Sequence, residues 1–348
     1  MGTGGTLEDR GRCFRGSLLS TISVALVTAA ACAGAGSSGA QVPKAPRHSP
    51  PPAAPTPPQD AAITWLTPRT AGIEVPPDRF ERLLRRNLNP AVSLPETLLA
   101  HRLEAWKALP VGERIARWAE FFVGRTDNVY CFGPKAGCYV GDSLLVQDYK
   151  LDCVSLFYRC SELARTASPR DAVLLALTTR FAHGQAADVV RPSGAVDYDN
   201  PAHLDYSVDF AATGLWGRDV THDVGIDTAD ALGTSRYPAG TRRFIPKAKI
   251  RFDRLRDGDL LLFVLDEKND KARKLRQDYG LLVGHQAIVR IDKGTVYQIH
   301  AAQSDLTGVY TGNHVVKVPL RTYLGRMEKF KGIMVLRIDT DATPQLRE

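Results

Sequence analysis

Signatures of a structural metal are missing from this chain of 348 residues. Its six cysteines include no CxxC pair and its eight histidines offer no His-x3–5-His spacing, so no zinc site is expected. No apolar run reaches the roughly 20 residues that a membrane-spanning helix needs. Internal repeats and long basic tracts are also lacking. Lys+Arg 45 against Asp+Glu 38 gives a net charge of +7, a mild excess that favours solubility and attraction to anionic surfaces without specifying a partner. With no recognition helix and no interleaving of aromatic and basic residues, nucleic acid is not an expected partner. What remains is ordinary globular composition, 44% hydrophobic and 24% charged. A chain of this length can bury a substantial core in one large domain or two modest ones.

The first 60 residues do not read as fold. Arg10, Arg12 and Arg15 precede the apolar stretch from Leu18 to Ala31, the pattern of a secretory signal peptide over residues 1–32. Ala29-Ala30-Ala31-Cys32 leaves two outcomes open. One is lipidation of Cys32, giving a lipid anchor; the other is ordinary cleavage after a small residue. Residues 33–60 are Ala/Gly/Ser-rich and then proline-rich, with eight prolines between Pro43 and Pro58. Such a segment cannot bury a core and behaves as a semi-rigid spacer. A periplasmic or cell-envelope location follows as the expectation.

Four further cysteines lie in the expected folded part. Cys131 and Cys138 flank a Gly/Pro loop and could close a small disulfide in an oxidising compartment. Cys153 and Cys160 share a predicted helix, about 10 Å apart along its axis, too far to bridge each other. Helical patterns cover Phe80 to Asn87, Glu96 to about Leu109, Gly112 to Val123, Leu151 to about Thr166 and Pro169 to Phe181. Residues 183–249 look loop-rich. Strand patterns follow at Leu260–Leu265, His285–Ile291, Val296–Ala301, Val315–Val318 and Gly332–Ile338, with Lys293-Gly294 as hairpin punctuation. The charged insertion from Asp266 to Gln277 reads as a solvated loop. Helices first and a mostly antiparallel sheet afterwards make an α+β fold, with a helical lead-in over 61–104 and the main domain over 105–340.

Cys153 stands at the start of a helix, where unpaired N–H groups and partial positive charge favour a thiolate and lower its pKa. The same groups can stabilise an oxyanion. A nucleophilic cysteine needs a base, and the base needs an orienting polar group. The predicted hairpin supplies two imidazoles, His285 and His300, on adjacent strands. Gln298 shares the His300 face because strand side chains alternate, and is the reserve for the third position. Asp152 is a natural N-cap for the Cys153 helix. His183, His203, His222 and His314 show no metal spacing; of these, His203 has the best claim to line a substrate cleft.

The ordered set Leu151-Asp152-Cys153, Gly284-His285-Gln286-Ala287-Ile288 and Ile299-His300-Ala301-Ala302 resembles the NLPC-type papain-like cell-wall cysteine hydrolases. It is most similar to their N-acetylmuramoyl-L-alanine amidase-like branch. Supporting matches are Glu113 to Gly124, Leu215 to Thr221 and Lys331 to Arg337, so the likeness spans roughly residues 105–338. The stretch Asn200-Pro201-Ala202-His203 departs from the branch, which places an Arg ahead of this region. The resemblance implies a papain-like fold, with Cys153 as nucleophile, His285 as general base and acid, and His300 as the group that orients it. It further implies substrate contacts for Asp152, His203 and Asp219.

The expected function is an exported cysteine amidase acting on peptidoglycan or muropeptides. The bond implied by the resemblance is that between N-acetylmuramic acid and L-alanine. Two alternatives are the γ-D-glutamyl–diaminopimelate bond, cut by the same chemistry, and a cell-wall-binding module without activity. No cofactor is expected, since a Cys/His pair activates itself, and the protein is expected to act as a monomer.

Overall fold

A computed structural model describes residues 75–132, 137–181, 189–204, 206–235 and 242–339. The expected signal peptide over residues 1–32, the expected spacer over 33–60 and His183 fall outside these residues.

Three helices open the fold, each entered through a proline that presets the first turn: α1 (Pro77–Asn87), α2 (Glu96–Trp106) and α3 (Val111–Phe122). A short β1 (Val129–Tyr130) and α4 (Cys138–Gly141) follow. Cys131 and Cys138 form a disulfide across the loop between them, while Cys153 and Cys160 are free. After β2 (Lys150–Leu151), which pairs parallel to β1, come α5 (Cys153–Ala164) and α6 (Pro169–Arg180). The stretch expected to be loop-rich also holds two helices, α7 (Tyr206–Thr213) and α8 (Thr221–Val224). The insertion is not a solvated loop: it forms α9 (Asp270–Tyr279). Asn269 caps its start through the Ala272 N–H, and Gly280, with φ 63°, ends it in the left-handed region. The last helix is α10 (Leu320–Arg326).

The sheet has eight strands among the described residues. β3 (Arg218–Asp219), β4 (Ala229–Asp230) and β5 (Arg243–Pro246) lie toward one edge. β6 (Leu260–Leu265), β7 (Val283–Asp292), β8 (Thr295–Ala302), β9 (His314–Pro319) and β10 (Phe330–Arg337) make its body. The order is β4-β5-β10-β6-β7-β8-β9, with β3 added to β10, and every pairing is antiparallel. β6 is buried along its whole length, as its unbroken apolar run requires. β7 and β8 meet at Lys293 and Gly294, whose φ values of 48° and 77° are those of a two-residue hairpin turn. At Gly332 a Cβ would come within 2.1 Å of the Ile245 carbonyl oxygen. Only glycine lets β5 approach β10 that closely.

Both faces of the sheet are covered. On one, Trp118 and Phe122 of α3 and Leu156 and Leu163 of α5 pack with Ile288, Ile299 and Met334. On the other, Tyr323 of α10 and Val224 of α8 pack with Phe263, Val289 and Val335. All of α5 after Cys153 is buried, so its polar residues must be satisfied internally. Arg159 binds Asp148 through both carboxylate oxygens at 2.7 and 3.0 Å. Glu162 receives Arg180 of α6 in the same two-pronged way.

Candidate active site

The first turn of α5 is held by a reciprocal cap. Asp152 Oδ1 accepts the N–H groups of Val154 and Ser155 at 2.9 and 2.7 Å, and Ser155 Oγ accepts the Asp152 N–H at 2.9 Å. The cap fixes the rotation of the helix start. Cys153 is the one residue of α5 that is not buried, and it opens onto a cleft of about 840 Å³. Its thiol lies against β7, where the Gln286 backbone N–H donates to it.

His285 and His300 line the same cleft. Ile288 pairs with Ile299, and continuing that register puts the two histidines diagonally on one face of the hairpin. His285 Nε2 and His300 Nδ1 are hydrogen-bonded at 2.8 Å. Phe263, Tyr323 and Phe330 surround the His285 ring, and Tyr310 and Tyr323 lie edge-on to that of His300. Burial in this aromatic setting pushes His285 well below the usual imidazole range, with His300 and Lys329 adding to it. Burial likewise brings His300 down to about 3, the Ala301 carbonyl opposing and Lys329 assisting.

The thiol departs from the expectation of a lowered pKa. Burial, and then the charge of Asp152, push Cys153 up to about 12, against the opposing pull of the Gln286 N–H, its own N–H and Lys329. Helix position favours a thiolate, but desolvation outweighs it here. At rest the cleft holds a neutral thiol and neutral imidazoles. Asp152→Asn tests this account, because asparagine caps a helix as well as aspartate does and carries no charge. Alkylation of Cys153 by iodoacetamide near neutral pH should quicken, because removing the charge of Asp152 lowers the thiol pKa. An unchanged pH profile of alkylation would refute the assignment of Asp152 as the second cause.

Two expected substrate contacts lie elsewhere. Asp152 is fully buried and does not line the cleft; its carboxylate serves the helix cap. Asp219 does not line the cleft either. It sits in β3, paired with Leu336 of β10, and accepts the N–H of Thr221, the first residue of α8, at 2.9 Å. In both cases a carboxylate beside a helix start is consumed by orphan N–H groups. His203 is placed at the cleft, its ring packed against Phe181 and Tyr198. Gln298, the reserve for the third position, is buried off the cleft, and His300 makes the contact with His285 instead.

Four contributors were not anticipated. Gln286 lines the cleft while buried, and neither atom of its side-chain amide has a hydrogen-bond partner among the described residues. Lys329 lies in the cleft beside the thiol. Leu275 and Tyr279 of α9 form part of its wall, so the insertion reaches the site.

No family model matches the sequence, and neither does any curated protein. Among solved structures, the chain is similar to an N-acetylmuramoyl-L-alanine amidase from Bacteroides uniformis ATCC 8492. Identity is 20%, the TM-score 0.47, and the match covers 66% of this chain and 99% of that one. It is also similar to a Legionella pneumophila protein of the DUF1460 family, at 14% identity and a TM-score of 0.46, covering 69% of this chain and 93% of that one. Similarity at this level says nothing about the reaction.

Proposed function

We propose that the protein is an exported cysteine amidase that hydrolyses peptidoglycan or its fragments. The observation that carries this reading is the meeting of three groups at one cleft: the Cys153 thiol at the partly exposed start of a buried helix, and the hydrogen-bonded pair His285 and His300 on the hairpin that lines the same cleft. A nucleophile at a helix start, packed on an antiparallel sheet that carries the base, is also what a papain-like fold requires.

The proposed chemistry needs one pair of tautomers. With its proton on Nε2, His285 donates to His300 Nδ1 and keeps the Nδ1 lone pair as base. His300 then carries its own proton on Nε2. Sγ of Cys153 attacks the amide carbonyl as His285 Nδ1 takes the thiol proton, so no standing thiolate is needed. His285 next gives that proton to the leaving amine. Water, deprotonated by His285, opens the thioester and frees the acid and the thiol. Asp152 takes two N–H groups of the first turn, leaving that of Cys153 for the oxyanion. The unpartnered amide of Gln286 supplies the second donor.

The cleft suits a sugar-peptide. Tyr130, Phe132 and Tyr279 give it aromatic walls, and Asn200, Gln303 and Asp305 supply polar contacts. The bond assigned is that between N-acetylmuramic acid and L-alanine. Incubation with purified muropeptides and mass spectrometry of the products tests the assignment. Expected products are a peptide with a free N-terminal L-alanine and the lactyl sugar acid. Release of a fragment that begins with diaminopimelate, with L-alanyl-D-glutamate left on the sugar, would move the cut to the γ-D-glutamyl bond. Binding without turnover would leave only a cell-wall-binding module.

A further inference from the structure

Half-buried lysines in the described residues have polar partners, with one exception. Lys317 binds Glu120 and Asp292, Lys331 binds Glu267, and Lys247 donates to the Met327 carbonyl. Lys329, in the turn between α10 and β10, faces the cleft. Its ammonium lies 5.0 Å from the centroid of the Phe330 ring and makes no ion pair or hydrogen bond with another described side chain. Asp305, the acid that lines the same cleft, uses one oxygen on the Gly312 N–H at 2.7 Å and does not pair with Lys329. A partly desolvated ammonium without a counter-ion is costly. Burial lowers its pKa accordingly, the Cys153 thiol opposing and Lys271 of α9 assisting.

The position of this charge is informative. Lys329 lines the same cleft as Cys153, His285 and His300, so an anion it receives is held in the cleft that would hold the scissile bond. Serving as counter-ion to a thiolate is a poor account of it, because Lys329 is the smallest of the influences on Cys153 and the thiol stays near 12.

We propose that Lys329 is a specificity-determining residue that receives the α-carboxylate of the stem-peptide D-glutamate. This rests on the muropeptide reading above and names the group it recognises. The choice of anion follows from covalent chemistry. If the amide to L-alanine is cut, that carboxylate belongs to the next residue of the leaving peptide. If the γ-D-glutamyl bond is cut, it belongs to the acyl residue itself. In both cases it is the anion nearest the scissile carbonyl. An ammonium in a partly dry cleft then gains its missing counter-ion on binding.

Two muropeptides that differ only in a free or amidated D-glutamate α-carboxyl provide the test. The wild type is expected to favour the free acid about 10- to 100-fold in kcat/KM, the range of a hydrogen bond to a charged group. Lys329→Met should raise KM for the acid by that factor, change KM for the amide substrate far less and so erase the preference. Lys329→Arg should restore part of it. Equal loss on both substrates, carried by kcat, would overturn the proposal in favour of an effect on the thiol. An active wild type that ignores the carboxylate removes this inference alone. A wild type inactive on both substrates removes the muropeptide reading and the inference with it.

Discussion

Cys153→Ala is expected to lower muropeptide turnover by roughly 10⁴- to 10⁶-fold, because the covalent route is lost together with the group that His285 serves. His285→Ala should fall into the same range, and the double variant should be no slower than either single one, since the two act as a unit. His300→Ala removes the partner of His285 Nε2 and frees its tautomer; a loss of about 10²- to 10⁴-fold is expected. Turnover rates, with circular dichroism to confirm folding, check the series. The pH dependence follows from the same groups. His285 must be neutral to accept a proton, and its pKa is depressed, so the acid limb of kcat/KM should lie below the usual imidazole range. The alkaline limb belongs to the thiol, raised to about 12, leaving a broad plateau through neutrality. A narrow optimum near pH 6 to 7, the range of an unperturbed imidazole, would contradict the neutral-pair mechanism. Additive losses in the double variant would contradict the pairing.

Arg180→Ala should destabilise the protein by about 3–5 kcal/mol, the cost of leaving one member of a buried ion pair alone. Arg180 is 1% exposed and Glu162 likewise. Three N–H···O contacts of 2.7 to 3.0 Å join them, and Arg180 also donates to the Leu145 carbonyl at 2.8 Å. Its guanidinium lies 4.4 Å from the Tyr158 ring centroid. Removing the side chain strands the Glu162 carboxylate inside the α5–α6 contact and opens a cavity beside Tyr158. Denaturant unfolding measures the loss, and the melting temperature should fall on the order of 10 °C. Arg180→Met combined with Glu162→Leu should recover much of it, because no charge remains buried. A single-variant loss below about 1 kcal/mol would mean that water or a rearranged partner reaches Glu162.

Elements with strong local signals were readable from the sequence. The strands from β6 to β10 follow runs of apolar and β-branched residues, and Lys293-Gly294 has the residue types a two-residue hairpin needs. The start of α5 was marked by Asp152 as N-cap, while its reciprocal partner Ser155 emerged only in the structure. Helix α9 carried its signals too, Asn269 before it and Gly280 after it, but its density of charge resembles a solvated loop. Only the burial of Ala272 and Arg276, a property of the assembled fold, separates the two. The carboxylates of Asp152 and Asp219, expected to contact substrate, are engaged with backbone for one shared reason. A carboxylate near a reactive residue looks like a ligand contact in one dimension, whereas in three dimensions the nearest unsatisfied groups are backbone N–H groups. Gln286 and Lys329 went unnoticed because what distinguishes them is a missing partner, which no spacing of residues can express.

Helix α5 has a consequence for how this protein can change over generations. Each of the eleven residues that follow Cys153 is buried, and two of them hold internal ion pairs. Mutational drift there is punished by misfolding, so the nucleophile's address is effectively frozen. Phe132, Leu275 and Tyr279 of α9 and Lys329 of the turn before β10 line the cleft without being buried, and so do not share that constraint. Bond-breaking and selectivity are thereby uncoupled in heredity, and homologues with other diets can arise by editing the rim alone.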